Sequence, residues 1–195
     1  FSRKRQMCRR YRAKTGTGKT AAFGLPLLQL INHEENSVQA VIMAPTRELG
    51  QQIQANLTLF ASYNPEIAVV GLFGGATLKS QVEALKRTTH IVVATPGRLI
   101  DHFERGKLLL TGVKIMVVDE ADRMLDMGFI PDIERIFKLT PFTRQTLFFS
   151  ATMAPEITRI TEEFLSAPVR IEVAQQATIS ETITQGVVSF KPSRK

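Results

Sequence analysis

The chain has 195 residues, 44% of them hydrophobic, enough for one core, and no apolar run long enough to cross a bilayer. A single cysteine, Cys8, excludes an internal disulfide and suits a reducing compartment, no Cys/His group has metal-ligand spacing, and His33, His90 and His102 read as ordinary surface or packed histidines. The net charge of +7 says little about partners: Arg3, Lys4, Arg5, Arg9, Arg10 and Arg12 supply six of the 25 Lys and Arg, leaving 19 against 18 acids elsewhere.

Residues 1–12, FSRKRQMCRRYR, contain no acid and read as a basic segment outside the folded body. The stretch QMCRRYR carries too many polar groups for a strand buried on both faces, where each unpaired charge is strongly unfavourable. Next comes AKTGTGKT at 13–20, opening a helix expected over 19–33. A Gly-rich turn feeding a helix aims several N–H groups at one point, and the helix end adds about half a positive charge. Gly16 and Gly18 let the backbone approach phosphates without Cβ clashes, Lys19 can reach the outer ones, and the Thr20 hydroxyl suits Mg²⁺. The general P-loop pattern wants Gly where Ala13 stands, and a plain flexible turn before a helix reads similarly.

Beyond it, short β-branched or aromatic runs at 38–44, 67–73, 90–94, 114–118, 146–149 and 169–173 read as strands buried on both faces. Amphipathic stretches at 47–62, 76–87, 97–105, 120–127, 131–138 and 155–166 lie between them. This alternation predicts an α/β fold, a mostly parallel sheet with helices on both faces, over 13–173. Ligands of such sheets sit beyond the carboxyl ends of the strands. Residues 174–195 lose apolar density but keep VVSF, and read as a linker or the start of another domain.

Asp119 and Glu120 follow the run KIMVV, where two acids are unfavourable unless a cation or water takes them. Asp119 suits holding Mg²⁺ through water, and Glu120 suits polarising an attacking water. Helix capping alone accounts for one acid here but not for four residues of DEAD.

With both motifs in place, the chain resembles the DEAD-box RNA helicases. That family's own P-loop form begins with Ala, as here; DEAD stands at 119–122, with PTRELGQQ at 45–52, GG at 74–75, TPGR at 95–98, SAT at 150–152 and RMLDMGF at 123–129, in the family's order. The resemblance covers about 13–190 and implies a RecA-like P-loop lobe that binds ATP and Mg²⁺, with Thr15, Gly16, Thr17, Gly18, Lys19 and Thr20 cradling the phosphates and Lys19, Asp119 and Glu120 catalytic. It further implies that Ser150 and Thr152 bond to the acidic motif through Asp122 and couple hydrolysis to RNA. Pro45, Thr46, Arg47, Gly75, Thr95, Gly97 and Arg98 would hold the RNA backbone without reading sequence.

Two departures stand out. The family has an apolar strand before the P-loop and an adenine-recognising Gln upstream of it, and Gln6 is too close to the P-loop to be that residue. A second RecA-like lobe, which supplies arginine fingers worth roughly 10³–10⁵ in rate, is not in the sequence. The chain, opening on Phe1, therefore reads as one lobe of a longer cytoplasmic helicase, with little activity of its own. The alternative is an impaired nucleotide- or RNA-binding fragment or pseudogene product. A P-loop ATPase of another kind fits AKTGTGKT but not the ordered PTREL, TPGR, DEAD and SAT set.

Overall fold

The computed structural model describes residues 9–12 and 18–172, with side chains over 18–172. Seven strands, β1 (Arg9–Arg12), β2 (Ala40–Met43), β3 (Val69–Leu72), β4 (Ile91–Ala94), β5 (Ile115–Val118), β6 (Gln145–Phe149) and β7 (Val169–Glu172), form one sheet in the order β3-β4-β2-β5-β6-β1-β7. Every pairing is parallel. Seven helices connect them: α1 (Lys19–Leu30), α2 (Arg47–Phe60), α3 (Leu78–Leu85), α4 (Pro96–Glu104), α5 (Ala121–Asp126), α6 (Ile130–Leu139) and α7 (Pro155–Phe164).

The central strands β2, β4 and β5 are buried throughout, which is why they read as continuous apolar runs and not as alternating ones. Successive side chains still point to opposite faces. Val41, Met43, Val92, Met116 and Val118 pack on one face with Leu99, Ile133, Phe137 and Ile157. Ala40, Ile42, Ile91, Val93 and Val117 pack on the other with Phe23, Leu27, Ile53 and Leu57. Helices α4, α6 and α7 therefore cover one face, and α1 and α2 cover the other.

The strand at Arg9–Arg12 corrects the sequence reading, which placed residues 1–12 outside the folded body. Arg9 pairs with Leu147 of β6 and Val169 of β7, so β1 is inserted into the sheet directly ahead of the Gly-rich turn. The reading required a strand buried on both faces, as in the centre of the sheet. Its actual neighbour β7 is the edge strand, mostly exposed, with Val169 at 41%. Near such an edge, apolar coverage of both faces is no longer demanded. The remaining expected strands form within two residues of their predicted ends. The linker expected at 174–195 and Gln6 lie outside the described residues.

Candidate nucleotide and nucleic-acid site

All strands being parallel, their carboxyl ends share one rim, and the chemistry-bearing residues gather there. At the end of β5, the Asp119 amide donates to the Met43 carbonyl at 3.0 Å, carrying the β5–β2 pairing one residue past the strand. Glu120 then takes a left-handed conformation, φ 53° and ψ 52°, and α5 starts at the next residue. A non-glycine residue there is about 1–2 kcal/mol uphill. Its amide donates back to Asp119 Oδ1 at 3.0 Å. The Glu120 carboxylate lies 3.4 Å from Arg123 Nη1, a neighbour one helical turn on that sequence reading left unassigned although the i,i+3 spacing points to it.

Asp119 is 2% exposed. Burial pushes its carboxyl above the usual carboxylate range, and the Lys19 ammonium draws it part of the way back. Lys19 is the first residue of α1, after Gly18 at φ 76°, and its Nζ donates to Asp119 Oδ1 at 3.2 Å. Strand β6 lies between β5 and β1, so this contact closes over the end of β6. Thr20 follows, half-buried in the first turn of α1. Thr15, Gly16 and Thr17 lie outside the described residues.

This donor set fits a magnesium–triphosphate group. It offers a carboxylate whose charge is disfavoured without a cation, an ammonium beside it, a hydroxyl, and the amino end of a twelve-residue helix. Among the described residues, no group of three or more His, Cys, Asp or Glu could hold a metal alone. Mg²⁺ ordinarily takes most of its ligands from water and phosphate, so one carboxylate and one hydroxyl suffice.

The third acid is joined to the end of β6. Asp122 Oδ2 accepts from the Ala151 amide at 3.1 Å, the Thr152 amide at 2.9 Å and the Thr152 hydroxyl at 3.2 Å. Ser150 does not share in this, contrary to the expectation that both hydroxyls bond to the acidic motif. It is buried, and its hydroxyl donates to the Thr152 carbonyl at 2.7 Å, tightening the turn that presents Thr152.

The expected backbone-binding residues lie along the ends of β2, β3 and β4. Thr46 caps α2, accepting from the Leu49 amide at 3.3 Å, so part of its hydroxyl's capacity is spent on the helix. Pro45 beside it is buried and Arg47 is exposed. Gly75 has φ 81°, a conformation that favours glycine, and the Arg47 guanidinium lies against it, where a Cβ would fall 2.1 Å from Nη1 and displace it. Thr95 caps α4 without a side-chain hydrogen bond, and its amide donates to the Leu72 carbonyl at 3.2 Å. Gly97 is exposed, and Arg98 Nη1 stands 3.9 Å from Asp101 Oδ2. A groove of about 330 Å³ continues from Arg47 between α2 and α3, lined also by Gln51, Gln54, Ser80 and Gln81. Gln51 stands within PTRELGQQ, though with no role assigned, whereas Gln54 and Gln81 carried no signal in the sequence beyond being polar residues within amphipathic helices.

A family model described as DEAD/DEAH box helicase matches residues 3–160. Over 183 residues the chain is 46% identical to the ATP-dependent RNA helicase CshA of Listeria monocytogenes, covering 94% of this chain and 35% of that protein. The corresponding figures for the DEAD-box ATP-dependent RNA helicase CshA of Geobacillus kaustophilus are 47%, 94% and 39%. The chain thus spans about a third of the length of the curated relatives it matches. Its fold superposes on the crystal structure of a DEAD box protein from Methanococcus jannaschii with a TM-score of 0.82 at 38% identity, covering 86% of this chain and 46% of that one. A hypothetical ATP-dependent RNA helicase from Sulfolobus tokodaii gives a TM-score of 0.78 at 37% identity, covering 86% and 48%.

Proposed function

Since the chain belongs to the DEAD/DEAH box helicase family, whose model spans residues 3–160, we propose that it is the ATP- and RNA-binding lobe of an ATP-dependent RNA helicase acting in the cytoplasm. The observation that carries this reading is the 3.2 Å approach of Lys19 to Asp119 over the end of β6. It joins the start of α1 to the acidic strand end, the two halves of a nucleotide site.

ATP with Mg²⁺ supplies the transferable phosphoryl group and the charge neutralisation that the transfer needs. Lys19 holds the outer phosphates by ion pairing, and Asp119 and Thr20 orient the metal. The Glu120 carboxylate, its backbone fixed at the left-handed turn, orients an attacking water and takes its proton at a carboxylate oxygen. Arg123 beside it holds that carboxylate in place. Asp122 ties α5 to the Ala151–Thr152 turn, so a displacement of the acidic loop is passed to the end of β6.

The amides and side chains at the starts of α2 and α4, with Gly75, take the phosphodiester chain of single-stranded RNA. No base edge is read, so binding is insensitive to sequence. A second RecA-like lobe then completes the ATP site and closes on RNA to separate strands locally. The alternative of an impaired fragment rested on a missing strand before the Gly-rich turn, and β1 removes that support.

The test is titration of a fluorescent ATP analogue with magnesium into the chain and into Lys19→Ala. Loss of one charge-assisted interaction of about 2 kcal/mol weakens binding roughly thirtyfold. Equal affinities for the two proteins would reject the reading.

A further inference from the structure

Two polar side chains on α3 and α4 are buried: Gln81 at 5% exposure and His102 at 0%. Gln81 Nε2 donates to the Phe73 carbonyl at 2.7 Å, and Gln81 Oε1 lies 2.7 Å from His102 Nε2. The direction of this chain is fixed by its far end. The Phe73 carbonyl can only accept, so the amide must face it with nitrogen, and Oε1 must accept from a protonated His102 Nε2. The imidazole is then neutral with Nδ1 bare, and that atom has no partner. Burial, followed by the nearby Arg98 charge, holds the His102 pKa below the ordinary imidazole value, in keeping with this tautomer.

The bond to the Phe73 carbonyl accounts for Gln81, but a buried imidazole with one unpartnered nitrogen is not accounted for by packing alone. What it joins gives it a use. Phe73 immediately precedes Gly74 and Gly75, and Gly75 stands against the Arg47 guanidinium. His102 lies one turn beyond Arg98 on α4, the helix that Thr95 and Gly97 begin. The hydrogen-bonded chain therefore runs from the α4 helix through α3 to the glycine turn, and by contact to the start of α2. These are the three elements assigned to the RNA backbone.

We infer that Gln81 and His102 are positioning residues that set the spacing between the Gly74–Gly75 turn and α4, and with it the fit of the site to a phosphodiester chain. The inference rests on the RNA-binding reading above. Neither residue touches RNA. Each acts by holding a group that does.

The test uses the chain itself, with anisotropy of a labelled short oligouridine, affinity for the ATP analogue, and the melting temperature. The double variant Gln81→Leu with His102→Leu replaces both partners by apolar groups. It leaves the Phe73 carbonyl without its donor and is expected to melt lower for that reason, yet to keep its ATP affinity within about twofold, while RNA affinity falls about tenfold, typical for residues sharing one network. His102→Gln retains an N–H donor toward Gln81 and is expected to hold RNA affinity within about threefold even where it lowers the melting temperature. A double variant that binds RNA like the unaltered chain overturns the inference, as does RNA affinity that simply tracks melting temperature across the three proteins. An unaltered chain that binds ATP but no RNA overturns the RNA reading and this inference with it. If the double variant loses ATP binding through misfolding, Gln81→Met and His102→Gln decide by the same two affinities, with loss expected for the first and retention for the second.

Discussion

The Asp122 clasp can be broken with one substitution whose effect is local. Replacing Asp122 by Ala removes one carboxylate oxygen that accepts from two amides, at 3.1 and 2.9 Å, and from the Thr152 hydroxyl at 3.2 Å. Hydrogen bonds to a charged group contribute about 1.5–3 kcal/mol each when buried. Ala151 and Thr152 are exposed, so water competes for all three donors, and the set is better valued at about 2 kcal/mol in all. Local opening of the turn then becomes roughly thirtyfold more frequent. Native-state hydrogen exchange reads this directly. The Ala151 and Thr152 amides are expected to lose protection by that factor, while amides in β2 and β5 exchange as before. In the complete helicase, RNA stimulation of ATP turnover is expected to fall more than basal turnover. Unchanged protection at both amides would refute the clasp, and a uniform loss across the sheet would show that Asp122 serves global stability instead.

Further outcomes follow from the site's charges and backbone. Asp119 titrates above the ordinary carboxyl value because it is buried, so the folded chain binds its proton more readily than the unfolded chain does. Its contribution to stability is present at low pH and lost as pH rises through the raised value; urea midpoints of the unaltered chain relative to Asp119→Asn are expected to decline from about pH 4 upward, and an invariant difference would contradict this. Gly75→Ala places a methyl group 2.1 Å from Arg47 Nη1 at φ 81°, so oligouridine affinity is expected to drop at least tenfold with ATP affinity intact. The chain without a second lobe is expected to turn over ATP roughly 10³-fold or more below a complete helicase, and RNA-stimulated turnover at full rates by this chain would disprove the need for that lobe.

The central sheet was readable because burial on both faces leaves a residue signature. Runs such as VQAVIMA and KIMVV need only be apolar and β-branched to be recognised, and β2 and β5 formed within them. The same rule misled at β1, since it describes strands in the middle of a sheet and RRYR lies beside the edge strand. The motif residues were readable as types, and the pairing of Thr152 with Asp122 came only through the family resemblance, which gave Ser150 the same partner and missed there. Nothing in SAT says that Thr152 reaches Asp122 while Ser150 turns back on its own loop. Gln81 and His102 were invisible for a related reason. Each is one polar residue in an amphipathic helix, and the meaning arises only when the fold sets them 2.7 Å apart.

The place of β1 also bears on how the domain is made. The first described strand finds its neighbours, β6 and β7, only at the far end of the described sequence, and every pairing is parallel. Contacts this remote in sequence close slowly, after local structure has formed. On the ribosome, strands β2 to β5 can assemble while β1 still lacks a place in the sheet, and the turn leading to Lys19 is anchored only when residues 145–172 have emerged. The segment ahead of Lys19 thus gains its place in the sheet only after every strand from β2 to β6 has been made.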